Sequence, residues 1–172
     1  MPEKIAAGAA MPSLRLPAVG GGQVTTGEAG PGWQLVVVYR GRHCPLCKRY
    51  LAKLDGLREA FAAAATTIVA VSADPAEKAE ADVAEFGWRF PVGYGLSADQ
   101  MRTLGVYVSV PRSPQETDRP FAEPGLFLVN PEGRVQVVDI SNAPFSRPDL
   151  EGILNGVKLI QERNYPVRGT MA

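Results

Sequence analysis

The apolar positions of the chain follow two kinds of pattern, and the first predicts strands. Residues 33–39 and 66–72 are largely apolar and rich in β-branched residues, as expected for strands buried on both faces of a parallel sheet. Residues 126–129 and 135–140 flank an Asn-Pro-Glu-Gly-Arg turn, which predicts an antiparallel hairpin. A shorter extended piece is expected at 90–94. Together these segments predict a mixed sheet.

The second pattern repeats every three or four residues and predicts helices. The longest is predicted from 45 to about 65, with an apolar face formed by Leu46, Tyr50, Leu54, Leu57 and Phe61. Two more are predicted over 97–104 and from 148 to about 162. These helices fall between or after the strands, which is the order of an α/β protein.

A fourth helix is predicted over 76–86, and its start carries the clearest local signal. Asp74 and Pro75 are typical of an N-cap and a first helical position. Its inward-facing residues are predicted to be Ala79, Val83 and Phe86.

The remaining segments are assigned by composition. Residues 1–32 are rich in glycine, proline and alanine and are predicted to form a leader hairpin, with strands near 14–17 and 23–26. Residues 106–123 carry three prolines and several charges without periodicity, which predicts an inserted loop. Residues 164–172 are predicted to be a tail of one domain that spans residues 1–172.

Composition narrows the class of protein. A chain of 172 residues can bury the core of a single domain, and the element order predicts a central mixed sheet flanked by helices in three layers. Lys and Arg together number 18, as do Asp and Glu, so net charge favours neither nucleic acid nor an anionic membrane as a partner. The sequence holds no apolar run of about 18 residues, and its first ten residues are too weakly apolar for a signal peptide. A cytoplasmic protein is therefore predicted.

Both cysteines of the chain, Cys44 and Cys47, fall where the first buried strand meets the first long helix. The unpaired N–H groups and the positive dipole of a helix start favour a thiolate over a thiol. In a reducing compartment, two close cysteines serve redox chemistry more often than they staple a fold. The sequence therefore predicts a redox-active dithiol.

The sequence gives less support to two other roles for these cysteines, a zinc site and unreactive core residues. A zinc site needs about four ligands, whereas the chain offers two cysteines and one histidine, so one chain cannot supply an all-Cys/His site. Buried cysteines without a reactive role are common in cores, but the flanking Arg42, His43 and Lys48 favour reactivity here.

The charged neighbours of the dithiol allow more than one role. His43 can lower the pKa of the Cys44 thiol or move a proton, or it can be a solvated side chain. Arg40, Arg42 and Lys48 can supply positive potential to a thiolate, or they can form a soluble rim around the site.

The strand, Cys-Pro-Leu-Cys-Lys and helix arrangement resembles the thioredoxin fold. Residues 123–130, Glu-Pro-Gly-Leu-Phe-Leu-Val-Asn, resemble the thioredoxin-family segment in which a cis-proline precedes a strand beside the active site. This resemblance implies a cis peptide bond before Pro124. The leader hairpin and the Ala-Val-Ser-Ala-Asp sequence at 70–74 resemble the alkyl hydroperoxide reductase and thiol-specific antioxidant branch, the peroxiredoxin-like proteins.

The chain departs from the peroxiredoxin pattern at three positions. The peroxidatic site of typical peroxiredoxins has the pattern Pro-x-x-x-Thr-x-x-Cys, and an arginine just before the later strand contributes to it. If Cys47 matches the peroxidatic cysteine, Arg40 replaces the proline, Cys44 replaces the threonine and Pro124 stands where the arginine is expected. The threonine orients the peroxide and the arginine stabilises charge on its leaving oxygen. Arg40, Arg42 or Arg119 can substitute only where the geometry allows it.

These observations favour thiol-disulfide exchange, with Cys44 as the attacking thiolate and Cys47 as the resolving thiol. The alternatives are a thiol peroxidase in which Cys47 meets the peroxide and Cys44 resolves it, and a non-catalytic redox sensor that uses loop 106–123. The expected partners are a disulfide or peroxide substrate, protein or small molecule, and a thiol electron donor. No cofactor is expected, and the sequence is compatible with a homodimer.

Overall fold

The computed structural model describes residues 3–171 and contains fourteen helices and strands. In chain order they are β1 Arg15–Pro17, β2 Gln23–Thr25, β3 Trp33–Val38, α1 Pro45–Gly56, α2 Arg58–Ala63, β4 Thr66–Val71, α3 Ala76–Phe86, β5 Val92–Gly93, α4 Ala98–Leu104, β6 Val108–Ser109, β7 Phe121–Ala122, β8 Gly125–Val129, β9 Val135–Ile140 and α5 Leu150–Arg163.

Five strands form the central sheet in the order β5-β4-β3-β8-β9. Strand β3 pairs in parallel with β4 and antiparallel with β8, so the sheet is mixed, as the sequence predicts. The predicted leader hairpin is also present, because β1 and β2 pair antiparallel. The predicted fold class, thioredoxin-like with an N-terminal hairpin extension, is confirmed.

The central strand β3 is buried on both faces, because its side chains alternate between two apolar clusters. Leu35 and Val37 pack with buried residues of α1, α2 and α5 on one face. Val36 and Val38 pack with α4 and the leader hairpin on the other. This buried strand leads directly into residues 39–48, the dithiol segment, which contains both cysteines.

The predicted helix at 45–65 is divided in two, because α1 ends at Gly56, a residue type with low helix propensity. Its buried face also differs from the prediction. Leu46 is 36% exposed, whereas Cys47, Leu51 and Leu54 face the core. The predicted positions Leu54 and Phe61 are buried, but the start of the stripe differs because Cys47, rather than Leu46, points inward.

Two details predicted for α3 are wrong. Asp74 does not cap the helix, because the N-cap position is held by Pro75 and no side chain makes a capping hydrogen bond there. Phe86 is 37% exposed, and the buried residues of the helix are Ala79 and the carboxylate Asp82. Both acidic residues instead contact the dithiol segment.

The segment at 106–123 is not without structure. Its two ends pair antiparallel, with Val108 opposite Ala122 and Ser109 opposite Phe121. This small hairpin places the Phe121 side chain beside the residues that precede the dithiol.

Candidate active site

The dithiol occupies the first turn of α1. Cys44 is the N-cap residue with extended backbone, Pro45 begins the helix, and the Cys44 Sγ accepts a hydrogen bond from the Cys47 N–H at 3.2 Å. The two cysteines form a disulfide with their Cα atoms 5.3 Å apart. Pro45 suits this position because the first helical N–H has no partner to lose. The local sequence therefore places one sulfur at the positive end of the helix.

Both sulfurs are shielded from solvent. Cys44 is predicted to be the attacking and the more exposed residue of the two, but Cys44 is 1% and Cys47 0% exposed. Both belong to the apolar cluster that contains Leu35 and Leu51. A large substrate therefore needs local opening of this region to reach either sulfur, whereas a small oxidant needs less.

Arg147 contacts the dithiol, although the sequence analysis did not single it out. Its Nη2 lies 2.7 Å from the Cys47 Sγ, and its guanidinium carbon lies 5.0 Å from the centre of the Tyr50 ring. Its Nη1 donates to the Pro144 carbonyl. Burial lowers the pKa of Arg147 to about 10, so the group stays cationic at neutral pH. Among residues 3–171 no carboxylate forms an ion pair with it.

The two residues that follow Arg147 anchor the chain at this point. Asp149 caps α5 by accepting the Gly152 N–H at 2.8 Å, and the Pro148 carbonyl accepts the Tyr50 hydroxyl at 2.7 Å. Arg147 is the only charged residue between 141 and 148. That isolation is the one signal in the sequence that could have pointed to it.

His43 is packed against protein rather than solvated. Its ring centre lies 4.6 Å from that of Phe121, and neither ring nitrogen has a hydrogen-bond partner among the described residues. Burial, helped by the nearby charge of Arg40, lowers the pKa of His43 to about 4. The imidazole is therefore neutral at pH 7 and supplies no positive charge to a thiolate.

The charge of Arg40 is largely compensated. Its Nε lies 3.1 Å from Glu123 Oε2, an ion pair without the alignment of a hydrogen bond. Its Nη2 lies 3.8 Å from Glu116 Oε1, and its guanidinium carbon lies 4.8 Å from the Phe121 ring centre. Arg40 thus joins the dithiol segment to the hairpin formed by β6 and β7.

The other predicted cations point away from the sulfurs. Arg42 forms ion pairs with Asp82 and with Glu85, the latter at 2.8 Å. The Lys48 ammonium lies 5.5 Å from the Phe86 ring centre. Arg119 pairs with its neighbour Asp118 at 3.0 Å in an exposed position. In the described chain, none of these three side chains contacts a sulfur of the dithiol.

The expected cis bond before Pro124 is absent, because residues 3–171 contain no cis peptide bond. The chain arrives at Pro124 in the extended strand β7, and the Pro124 carbonyl accepts the Ser141 N–H at 3.0 Å. Strand β8, which follows, is paired on both sides. Strand β8 itself therefore offers no unpaired backbone edge to a substrate strand. Pro124 instead lines a cavity of about 10 Å³ with Tyr50 and Arg147.

Within residues 3–171, no three Cys, His, Asp or Glu side chains are grouped as metal ligands. Over the same part of the chain, no helix has the length and apolar character needed to cross a membrane.

A mixed sheet with a dithiol at the start of the helix after its central strand defines a thioredoxin-like redox protein. Comparison with solved structures supports the fold. The peroxiredoxin-like protein from Aquifex aeolicus matches with a TM-score of 0.78 and 16% identity, over 92% of this chain and 89% of that chain. The 2-Cys peroxiredoxin of Plasmodium vivax, in its reduced form, matches with a TM-score of 0.77 and 17% identity, over 93% and 84%. AhpC of Mycobacterium tuberculosis matches with a TM-score of 0.77 and 16% identity, over 95% and 97%.

The sequence profile of the AhpC/TSA family matches residues 7–138. The chain belongs to this family, and the predicted resemblance to peroxiredoxin-like proteins is confirmed. No curated protein matches the sequence. The predicted enzyme class is confirmed as well: the protein is a thiol-dependent oxidoreductase. The roles of the individual site residues, the cytoplasmic location and the domain boundaries stay predictions.

Proposed function

We propose that the protein is a thiol peroxidase in which Cys47 reacts with the peroxide and Cys44 resolves the product. The position of Arg147, with its Nη2 2.7 Å from the Cys47 Sγ, carries this proposal. A nearby cation favours the charged form of a thiol. Of the two cysteines, Cys47 is the one whose sulfur contacts a guanidinium, and that guanidinium forms no ion pair in the described chain.

This contact bears on the departure from the peroxiredoxin pattern. Pro124 stands where an arginine is expected, which weakens the case for peroxide chemistry on sequence alone. Arg147 supports that chemistry from a different segment, because it lines the same small cavity as Pro124 and reaches the sulfur. A guanidinium there can stabilise both the thiolate and the negative charge that develops on the leaving oxygen.

The reaction proceeds in two steps within the protein. The Cys47 thiolate attacks one peroxide oxygen, the O–O bond breaks, and the second oxygen leaves with a proton as water or an alcohol. Cys47 then carries a sulfenic acid. The Cys44 thiolate attacks the Cys47 sulfur and expels hydroxide, which takes a proton to form water, and the disulfide results.

An external thiol completes the cycle. Its thiolate attacks the Cys44–Cys47 disulfide to give a mixed disulfide, and a second donor thiol releases the reduced protein. The donor supplies two electrons for each peroxide reduced. The proposed partners are therefore a peroxide and a thiol reductant; a homodimer is compatible with this cycle but is not required by it.

Thiol-disulfide exchange led by Cys44 is the second candidate, and a separate observation favours it. The Cys44 Sγ accepts the N–H of Cys47 at the start of α1, which stabilises a thiolate at that position. Against it, Cys44 is only 1% exposed, so a protein disulfide needs local opening before it can be attacked.

Single-cysteine variants distinguish the two candidates. Each variant, Cys44→Ser and Cys47→Ser, is reduced, treated with stoichiometric hydrogen peroxide and trapped with dimedone, and the modified residue is located by mass spectrometry. The proposal predicts a sulfenic acid on Cys47 in Cys44→Ser that forms at least roughly tenfold faster than any on Cys44 in Cys47→Ser.

Thiol-disulfide exchange led by Cys44 predicts a different result. Slow oxidation of both variants, together with a mixed disulfide trapped on Cys44 during insulin reduction by Cys47→Ser, would favour exchange and reject the peroxidase. Wild-type protein alkylated before peroxide treatment is the control for oxidation at methionine.

A further inference from the structure

Asp74 does not act as the helix N-cap that its position in the sequence predicts. It precedes a proline and a helix, yet its side chain makes no capping bond to α3. Its Oδ2 instead accepts the backbone N–H of Arg42 at 2.7 Å, across 32 residues of sequence. By accepting this N–H instead of one at the helix start, the Asp74 carboxylate holds a turn beside the dithiol.

Gly41 allows this contact. A Cβ at position 41 would lie 2.6 Å from Asp74 Oδ1, and the residue has φ of +132°, a region that side chains other than glycine rarely enter. The carboxylate therefore rests directly against the backbone of the turn and bonds the next N–H. The turn and the carboxylate fit each other only with glycine at this position.

Asp82 is also unexpected, because a charged residue is buried on a helix face that the hydrophobic pattern assigns to apolar residues. It lies on the inward face of α3, is 0% exposed and forms an ion pair with Arg42 Nη1. Its second oxygen, Oδ2, has no partner among the described residues. Burial raises the pKa of both Asp74 and Asp82. Burying carboxylates costs free energy, and here both contact the same residue, one at its backbone and one at its side chain.

The turn leads directly to the first sulfur. The Gly41 carbonyl accepts the Cys44 N–H at 3.2 Å, which sets the extended backbone of Cys44 (φ −110°, ψ 100°) at the N-cap. That backbone aims the Cys44 Sγ at the Cys47 N–H. A displaced turn therefore displaces the sulfur from the helix start.

We propose that Asp74 and Asp82 are positioning residues for the dithiol: they hold the turn at 41–43 so that Cys44 Sγ sits at the start of α1. The proposal builds on the proposed function only in taking Cys44 as a working thiol, whichever partner it meets. Both side chains act through Arg42 and Gly41, and neither forms a hydrogen bond with a sulfur.

Positioning and simple charge make opposite predictions. A carboxylate near a thiol disfavours the thiolate, so removal of its charge alone would lower the pKa of Cys44. Loss of the turn would instead take Cys44 Sγ away from the helix N–H groups and raise that pKa. The direction of the change therefore separates the two roles.

The test measures the Cys44 thiol in the Cys47→Ser background, by the rate of iodoacetamide alkylation as a function of pH. Asp74→Ala should raise the apparent pKa and slow alkylation at pH 7 by roughly threefold to tenfold, because one pKa unit is tenfold in thiolate. Asp74→Asn should restore the rate, because its amide oxygen can still accept the Arg42 N–H. Asp82→Ala should act in the same direction with a smaller effect.

Two matched variants serve as controls. Asp55 also accepts an arginine backbone N–H, that of Arg89 at 2.8 Å, but at the far end of α1. Glu85 contacts the same Arg42 guanidinium from an exposed position. Neither Asp55→Ala nor Glu85→Ala should change the alkylation profile. The remaining charged groups of the region, Arg40, Lys48 and Arg147, are unchanged in every variant.

The proposal is overturned if Asp74→Ala leaves the alkylation profile unchanged or lowers the apparent pKa. If Asp74→Ala does not fold, Gly41→Ala tests the same contact from the other side, and it must slow alkylation to a similar extent. No peroxide enters the measurement. A reversal of the two cysteine roles in turnover would therefore reject the proposed function and leave this result intact.

Discussion

The two sulfurs of the dithiol meet different surroundings, although only two residues separate them. On the Cys44 side, cations face carboxylates: Arg42 pairs with Asp82, and Arg40 pairs with Glu123. On the Cys47 side, Arg147 contacts the sulfur, and no carboxylate pairs with it in the described chain. The arginines of the first side are therefore ion-paired, whereas Arg147 on the second side is not.

This difference shows that closeness in sequence to a cysteine is a poor guide to electrostatic influence. A cation that is already paired with a carboxylate adds little potential at a sulfur beyond the pair, because the two charges cancel over a few ångströms. An unpaired cation in a poorly solvated position acts at nearly full strength. Arg40 and Arg42 are close in sequence but neutralised, whereas Arg147, 100 residues from Cys47, is not.

The largest expected effect comes from removing the charge on the Cys47 side. Arg147→Gln should slow the oxidation of Cys47 by hydrogen peroxide by about 100-fold, the size typical of losing one donor that stabilises developing charge. Arg147→Lys should recover part of that loss, because it keeps the charge but not the planar geometry. Stopped-flow fluorescence of the Cys44→Ser variant measures the rate.

Arg119→Gln is the matched control, since Arg119 is exposed and pairs with Asp118. Its rate should equal that of the parent. An unchanged rate in Arg147→Gln would show that the contact with Cys47 is structural and would remove the contrast between the two sides.

A smaller effect, on stability instead of rate, is expected on the Cys44 side. Arg40→Gln leaves the buried Glu123 without its main cation, and it should lower the free energy of unfolding by about 2 kcal/mol at pH 7, somewhat less than the cost of breaking a fully buried pair. Its peroxide rate should change by less than about twofold, because the charge it removes is already compensated. Urea unfolding measures the first quantity.

The double variant Arg40→Gln/Glu123→Gln should recover part of the lost stability, because it leaves no unpaired charge at the pair. If Arg40→Gln slowed peroxide oxidation as much as Arg147→Gln does, the two sides would be electrostatically alike and the comparison would fail.

The smallest effect concerns His43, which follows Arg42 in the chain and packs against Phe121. Its folded-state pKa of about 4 lies below the usual value of 6.5. The unfolded chain therefore binds a proton at a higher pH than the folded protein does. The stabilisation that this neutral imidazole provides is complete above pH 6.5 and is lost as the pH falls towards 4. After solvent screening the loss should be about 1 kcal/mol.

His43→Gln should remove this part of the pH dependence. Unfolding curves at pH 7.0 and pH 4.5 measure it, and the wild-type protein should lose more stability between the two than the variant does. Because His43 is the only histidine in the chain, the difference can be assigned to it. Equal losses would mean that His43 is solvated in the folded protein.

Local pattern was enough for most of the fold. The valine-rich run before the dithiol forms β3, and the apolar segment after the Asn-Pro-Glu-Gly-Arg turn forms β9. Ser97 and Gly105 bound α4 as their residue types predict. These elements depend on hydrophobic periodicity and on caps, which act over a few residues.

Two of the differences from prediction, at Asp74 and Asp82, occur where a side chain bonds to a distant segment. Asp74 caps no helix because the Arg42 N–H takes its carboxylate, and Asp82 is buried because Arg42 pairs with it. The peptide bond before Pro124 is trans although the resemblance implied cis. The predicted apolar face of α1 differs at its start because Cys47, rather than Leu46, points into the core.

The sequence by itself determined the sheet, the helices and the presence of two thiols at a helix start. Tertiary structure alone decided which charges reach those thiols. Helix dipoles and caps act along the chain and can be read from it, whereas the field at a sulfur depends on distances through space and on which cations carboxylates have neutralised. Arg147 reaches Cys47 only because α5 folds back against α1, and Arg42 turns away only because α3 presents Asp82.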